Sequence, residues 1–278
     1  MAGTSNAASP FIADLLAGRT AMVTGGGTGL GRSIALGLSA AGARVVIAAR
    51  REEVLRTTAA EIAGITGNPV EWDLVDIRDR DSVAALSTRH QVDILVNNAG
   101  GQFPQKARDF SARGWNSVID LNLNGTWAMT QAFGNQMLDR DSGGSIVQVV
   151  AIIGRGIPGI AHSAAARAGV VELTKTLAYE WGPRVRVNCV APGAFRTDGW
   201  EATYDTEVGS DMSGVPLPYP GRPVDVANAV VFLASSAAAY ITGECLFVDG
   251  GHALHGTISA LPADGYPERS NHNKGPNE

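Results

Sequence analysis

Residues 24–31 read Thr-Gly-Gly-Gly-Thr-Gly-Leu-Gly, between a short apolar run at 19–24 and a helical pattern at 30–41. Glycines at 25, 29 and 31 let the backbone turn tightly and approach a ligand. The amide groups of the helix start then point at that ligand, an arrangement suited to a pyrophosphate. A glycine-rich turn alone serves many purposes. A strand before it, a helix after it and a second apolar strand make the dinucleotide reading specific. About 20 residues past such a turn, an NAD site carries Asp or Glu for the ribose hydroxyls. Here the second strand ends Ala49-Arg50-Arg51, and two guanidiniums suit the 2′-phosphate of NADP. The expected cofactor is NADP(H).

The elements around these residues alternate. Apolar, β-branched runs at 44–49, 70–74, 92–96, 145–152, 185–190 and 245–248 read as strands. Helical periods occupy 52–63, 82–87, 115–138, 163–181 and 224–234. Repeated strand–helix alternation implies right-handed crossovers and a parallel sheet wound on both faces. The expected fold class is therefore α/β, a single Rossmann-type domain over 18–251. A flank at 1–17 precedes it, and a polar tail at 252–278, rich in Pro, Gly, Asn and His, follows as an extended arm.

Composition agrees. The 278 residues are 45% hydrophobic and 18% charged, enough apolar surface for one large core, which excludes a disordered chain. Twenty-two Lys and Arg against 27 Asp and Glu give a net charge of −5, which argues against nucleic acid or an anionic membrane as partner. No apolar run reaches the roughly 18–20 residues that span a bilayer. Residues 1–17 lack the basic region and apolar core of a signal peptide. The expected location is the cytoplasm. Cys189 and Cys245 sit in apolar segments and read as free, buried thiols in a reducing compartment. Neither has His or Cys neighbours at metal-ligand spacing, so no metal is expected.

Three segments together carry a resemblance: the 24–31 turn, Asn97-Asn98-Ala99-Gly100, and Val190-Ala191-Pro192-Gly193. Over residues 18–251 the chain resembles the short-chain dehydrogenase/reductase family. The resemblance implies a seven-stranded Rossmann sheet, a nicotinamide cofactor and a homotetramer or homodimer. It implies that Gly25, Gly27, Thr28, Gly29, Leu30 and Gly31 hold the pyrophosphate, with Asp76 and Ile77 flanking the adenine. It places Asn98, Ala99 and Gly100 along the cofactor, and Pro192, Gly193, Ala194 and Thr197 near the nicotinamide. Asn122 falls on the family's active-site asparagine.

That family usually carries a serine and a Tyr-x-x-x-Lys pair whose i, i+4 spacing puts both side chains on one helix face. The lysine binds the ribose and lowers the tyrosine pKa, and the tyrosine exchanges the proton that accompanies hydride transfer. Aligned through 168–178, the tyrosine position here falls on Ser163 and the lysine position on Arg167. A shift of one gives His162 and Ala166. The strand and turn at 148–154, Gln-Val-Val-Ala-Ile-Ile-Gly, hold no serine in either register. The stretch around Ser163, with Asn-Asn-Ala-Gly-Gly-Gln-Phe at 97–103, is similar to a branch containing peroxisomal trans-2-enoyl-CoA reductases and 2,4-dienoyl-CoA reductases. Those enzymes lack the usual tyrosine at this position and reduce an activated C=C bond.

A serine hydroxyl is a poor acid near neutrality, so ketone chemistry by the usual route is not expected. Hydride delivery still needs orientation and a way to hold developing charge. For an enoyl thioester, a guanidinium or Asn122 can hold the enolate while water supplies the proton. An iminium acceptor needs no side-chain acid. The expected activity is NADPH-dependent reduction of an activated C=C or C=N bond, with Asn122, Ser163 and Arg167 as the catalytic set. Two alternatives stay open: a ketone or alcohol oxidoreductase with an unusual proton relay, and a non-redox NADPH-binding protein such as a cyclase or regulator. Arg167 reads as the holder of the nicotinamide ribose, against a bland reading as a surface arginine. His162 reads first as a partly buried structural residue beside the pocket.

Gln102 and Phe103 follow the 97–100 turn and are expected in the substrate pocket. Residues 194–222, with Trp200 and Tyr204, follow a strand end and read as a lid over a small-molecule substrate. Apolar faces at 126–138 and 170–181 suggest a homo-oligomer.

Overall fold

Along β1 (Thr20–Thr24), Ala21 and Val23 pack to one side of the sheet and Met22 to the other. That two-residue period, apolar on both faces, is what a central parallel strand requires. The computed structural model describes residues 10–152, 158–193, 195 and 215–254. Within it β1 joins β2 (Arg44–Ala49), β3 (Val70–Leu74), β4 (Ile94–Asn97), β5 (Gly144–Val149), β6 (Val185–Pro192) and β7 (Cys245–Val248). All pairings are parallel, in the order β3-β2-β1-β4-β5-β6-β7. The expected α/β Rossmann-type fold is present, with its order reversing between β1 and β4. In such sheets a ligand crevice opens beyond the strand ends at that reversal.

Among the described residues, seven α-helices cover the two faces: α1 (Gly29–Ala40), α2 (Glu52–Thr66), α3 (Arg80–Arg89), α4 (Ala112–Ile119), α5 (Thr126–Leu138), α6 (Ala161–Trp181) and α7 (Pro223–Ala234). Ile34 and Leu38 of α1, Leu55 and Ile62 of α2 and Val226 to Val231 of α7 build one core layer. Met129, Phe133 and Met137 of α5, with Val83, Leu86 and Leu177, build the other. Each such fully buried side chain contributes about 1.5–3 kcal/mol over its exposed state. The core also reaches back to Leu16, which is buried and whose N–H donates to the Ala41 carbonyl at 2.8 Å.

Four expectations need correction. The long helix expected at 115–138 is two helices joined by a π-helical turn, Asp120–Gly125. A wide turn of this kind carries no hydrophobic signature and marks functional positions. The strand expected at 145–152 ends at Val149, where the chain leaves the sheet. Cys189 and Cys245 are free and sit side by side in the β6–β7 register, but only Cys189 is fully buried. At the start of the tail, His252–Leu254 forms a turn of 3-10 helix; residues 255–278 lie outside the described set.

The carbonyl end of α7 meets a half-buried cation. Arg186 on β6 donates to Leu233 O at 2.8 Å and to Ser235 O at 3.2 Å. The positive group faces the negative end of the helix and satisfies carbonyls that the helix leaves open. Arg186→Ala should lower unfolding free energy by about 1.5–3 kcal/mol, the worth of charge-assisted bonds whose partners stay buried. Urea denaturation checks this, and Arg186→Lys should recover part of the loss.

Candidate functional site

The glycine turn is shaped by contacts that exclude side chains. Gly25 and Gly29 have φ of 65° and 52°, the left-handed region that favours glycine. A Cβ on Gly31 would collide with the Gly25 carbonyl and come within 2.5 Å of Asn98 Nδ2. Thr28, the N-cap of α1, makes no side-chain capping bond, so the first amides of the helix face the cleft.

The neighbouring turn is tied to this one. Thr24 Oγ1 accepts the N–H groups of Asn98 and Ala99, each at 3.0 Å. Asn98 Nδ2 donates back to the carbonyls of Thr24 (3.0 Å) and Gly25 (3.3 Å). Between the turns lies a cleft of about 330 Å³. It brings together Gly25, Gly27, Thr28, Gly29, Leu30 and Gly31 with Arg50, Arg51, Asp76, Ile77, Asn98, Ala99 and Gly100. Its walls add Val54, Leu55, Val75 and Leu121, apolar residues without a motif, which sequence reading passed over. Glycine-bound turns, unpaired amides, an apolar slot and two guanidiniums suit a phosphorylated dinucleotide.

Hydrogen bonds from Arg78 hold the Asp76 carboxyl down at about 2, against the cost of partial burial. Asp76 is therefore ionised at every pH near neutral. Its contribution to stability is complete above about pH 4 and is lost as the pH falls toward 2.

Beyond the cleft, the π-helical turn places Asn122 inside the protein with no exposed surface. Its Oδ1 accepts Gly101 N–H at 3.0 Å, and its Nδ2 donates to Gly101 O at 2.9 Å and to Ser163 Oγ at 3.3 Å. With Oγ accepting from Asn122, the Ser163 O–H is left to act as a donor. Thr126 Oγ1 donates to the Asn122 carbonyl at 3.0 Å, satisfying a group that the wide turn releases.

Arg167, one helical turn beyond Ser163, is buried and not a surface arginine, which overturns the bland reading. Its Nη1 donates to Val149 O at 2.7 Å, just where β5 ends. Burial lowers its pKa to about 10, so it is a fixed cation near neutrality. Gly100 passes so close to this guanidinium that a Cβ there would collide with Nη2 and lie 3.1 Å from Asn122 Oδ1.

His162 is likewise fully buried rather than partly so. Its ring meets Phe103 edge-on at 4.7 Å and Phe110 at 4.5 Å between centroids. Thus Asn122, Ser163, Arg167, His162 and Phe103 converge through direct contacts or shared neighbours. Gln102 lies half-buried beside Gly101. Pro192 ends β6, and a Cβ on Gly193 would stand 2.8 Å from Asp249 Cα, so the chain needs glycine there. Ala194, Thr197, Trp200 and Tyr204 lie outside the described residues. Sequence reading missed Phe110, the Thr24 hydroxyl and the backbone of Gly101 and Val149. An aromatic residue in a loop and main-chain groups give no spacing to detect.

A parallel sheet that reverses order at a glycine turn, with a second latched turn beside it, defines a dinucleotide-binding α/β protein. A family model described as Enoyl-(Acyl carrier protein) reductase matches residues 25–253. The chain belongs to the short-chain dehydrogenase/reductase family, whose members are NAD(P)-dependent oxidoreductases. It is 39% identical to the 3-oxoacyl-(acyl-carrier-protein) reductase of Chlamydia muridarum, over 86% of this chain and 99% of that one. It is 36% identical to a Bacillus subtilis protein assigned as a 2,4-dienoyl-CoA reductase, over 85% and 97%. Among solved structures, a Beutenbergia cavernae protein assigned as an NAD(P)-dependent gluconate 5-dehydrogenase, with bound NADP, is 38% identical. That match covers 85% of this chain and 97% of the other, with a TM-score of 0.80. Among the described residues, no helix is long and apolar enough to cross a membrane.

Because Gly31 has no room for a side chain, Gly31→Ala should weaken NADPH binding at least tenfold by calorimetry. Gly64→Ala, in open space on α2, should leave binding unchanged and add up to about 1 kcal/mol of stability.

Proposed function

We propose that the protein is an NADPH-dependent reductase of an activated C=C bond, of the enoyl thioester type, working without a tyrosine acid. The observation that carries this reading is the Asn122–Ser163–Arg167 set. It offers hydrogen-bond donors and a fixed cation but no group that releases a proton near neutrality. NADPH, when bound, supplies a hydride to the β-carbon of the double bond.

The chain's own residues do the rest. The glycine turn and the amides of α1 orient the pyrophosphate. Arg50 and Arg51, at the end of β2, pair with the 2′-phosphate and set the preference over NADH. Arg167 holds the ribose side of the nicotinamide site and makes its surroundings positive. Ser163 O–H donates to the thioester oxygen as the electron pair of the C=C bond moves onto it. Asn122 fixes Ser163 through Nδ2 and fixes the loop at Gly101. Water then protonates the α-carbon, which completes the saturated thioester and NADP⁺.

An enolate beside buried Arg167 meets opposite charge, whereas an iminium would meet like charge. That favours C=C over C=N. Ketone reduction is the second reading, supported by the 39% identity to a 3-oxoacyl reductase. It requires a proton donor that Ser163 does not provide.

The test is NADPH oxidation with trans-2-hexenoyl-CoA, using deuteride-labelled NADPH and mass analysis of the product. Deuterium at the β-carbon, with NADH at least tenfold poorer and the preference lost in Arg50→Ala/Arg51→Ala, is the expected result. Oxidation only with 3-oxoacyl thioesters would establish the second reading instead, and label in no product would remove both.

The reading includes a homo-oligomer, supported by Tyr179, Tyr240 and Phe247, which stand exposed on and around α6 and β7. Light scattering should give a mass at least twice the 28.9 kDa of one chain; a single-chain mass would sink this part alone.

A further inference from the structure

We propose that His162 is a catalytic residue: its Nε2–H donates a hydrogen bond to the substrate carbonyl oxygen as that oxygen becomes an enolate. This rests on the enoyl thioester reading above. The argument begins with the first turn of α6, whose amides have no partner within the helix. The imidazole folds back so that its Nδ1 accepts the Ser163 N–H at 2.8 Å. That bond uses the lone pair of Nδ1 and thereby assigns the ring proton of the neutral form to Nε2. An imidazolium would place a proton against the Ser163 N–H and a positive charge at the positive end of the helix. Burial also lowers the affinity of the ring for a second proton, and the backbone of Ile160 opposes this only in part.

Nε2 is buried and has no hydrogen-bond partner among the described residues. An orphaned buried donor is destabilising, a cost that an arriving acceptor removes. The ring is enclosed by Phe110 and by Phe103, and Phe103 is 37% exposed. Phe103 is two residues past Gly101, the residue paired with Asn122. Phe103 therefore touches the His162 ring on one side and solvent on the other, beside the cofactor turn. His162 Nε2 and Ser163 Oγ, both in the first turn of α6, are the two donors that we assign to the substrate oxygen. A neutral imidazole polarises a carbonyl by donating a hydrogen bond without surrendering its proton. The ring keeps its proton throughout, and water still protonates the α-carbon.

The test uses the full-length protein with NADPH and trans-2-hexenoyl-CoA. His162→Phe should lose about 10²–10³ in kcat, the usual effect of removing one oxyanion donor, with NADPH affinity within twofold. His162→Gln, which can accept from Ser163 N–H and donate to substrate, should stay within about tenfold of wild type. Nitrogen NMR of ¹⁵N-histidine protein at pH 7.5 should show a neutral ring protonated at Nε2. That resonance should shift when NADP⁺ and the thioester are added together.

Unchanged kcat in both variants, or equal losses in Phe and Gln, would make His162 a packing residue and overturn the proposal. So would a ring protonated at Nδ1, an imidazolium, or a resonance that ignores the ligands. If His162→Phe fails to bind NADPH, the Gln variant and the wild-type spectrum decide the matter. A wild-type protein inert toward the thioester removes the underlying reaction and this role with it. Active wild type with indifferent variants removes only the role of His162.

Discussion

The turns that leave β1 and β4, the paired strands at the sheet's reversal, are latched to each other by the Thr24 hydroxyl and the Asn98 side-chain amide. Thr24 Oγ1 takes the N–H groups of Asn98 and Ala99, while Asn98 returns its amide to the carbonyls of Thr24 and Gly25. Every buried backbone group at this junction needs a partner, because leaving one unpaired costs about as much as a lost hydrogen bond. The latch therefore fixes both turns at once. The glycine turn faces the dinucleotide cleft, and the second turn leads through Gly100 and Gly101 to Asn122. The cofactor cleft and the proposed catalytic set are consequently linked through the same few bonds.

From that latch a chain of contacts runs through the interior. Gly101 pairs with Asn122, Asn122 with Ser163, and Arg167 reaches the carbonyl of Val149 at the end of β5. Beneath it, Asn97, Thr130 and Gln148 tie β4, α5 and β5 together with side-chain bonds of 2.9–3.0 Å. These bonds restrain their members, although Asn97 Oδ1 has no partner among the described residues. The guanidinium of Arg167 is the costly member, since a buried cation gives up its hydration. Its carbonyl partner offsets some of that cost, and a negatively charged reaction intermediate would offset more.

How much of this was readable from the sequence follows from what kind of residue bears each part. The doubly wound parallel sheet and the cofactor cleft were legible because strand and helix periods alternate and the 24–31 and 97–100 motifs stand at fixed spacing between them. The placement of Arg50 and Arg51 was legible from their position at the end of the second strand, and that of Asp76 from the family resemblance. The π-helical turn was not, because Asp120–Gly125 continues the apolar pattern of its flanking helices and differs only in hydrogen bonding. The depth of His162 and Arg167 was also hidden. A histidine or arginine on a helix gives no sign of what encloses it, and the enclosure comes from Phe103, Phe110 and Gly100, all distant in sequence.

The crowding at Gly100 has a consequence for which residues the fold accepts. A guanidinium is wider than an ammonium and branches at its tip, so the space occupied by Arg167 Nη2 is the space a Cβ at residue 100 would need. The two positions are therefore bound together in sequence space. An alanine at 100 would have to push the guanidinium tip aside, and even with a slimmer lysine at 167 its Cβ would still stand 3.1 Å from Asn122 Oδ1, so both the cation and the asparagine favour glycine there.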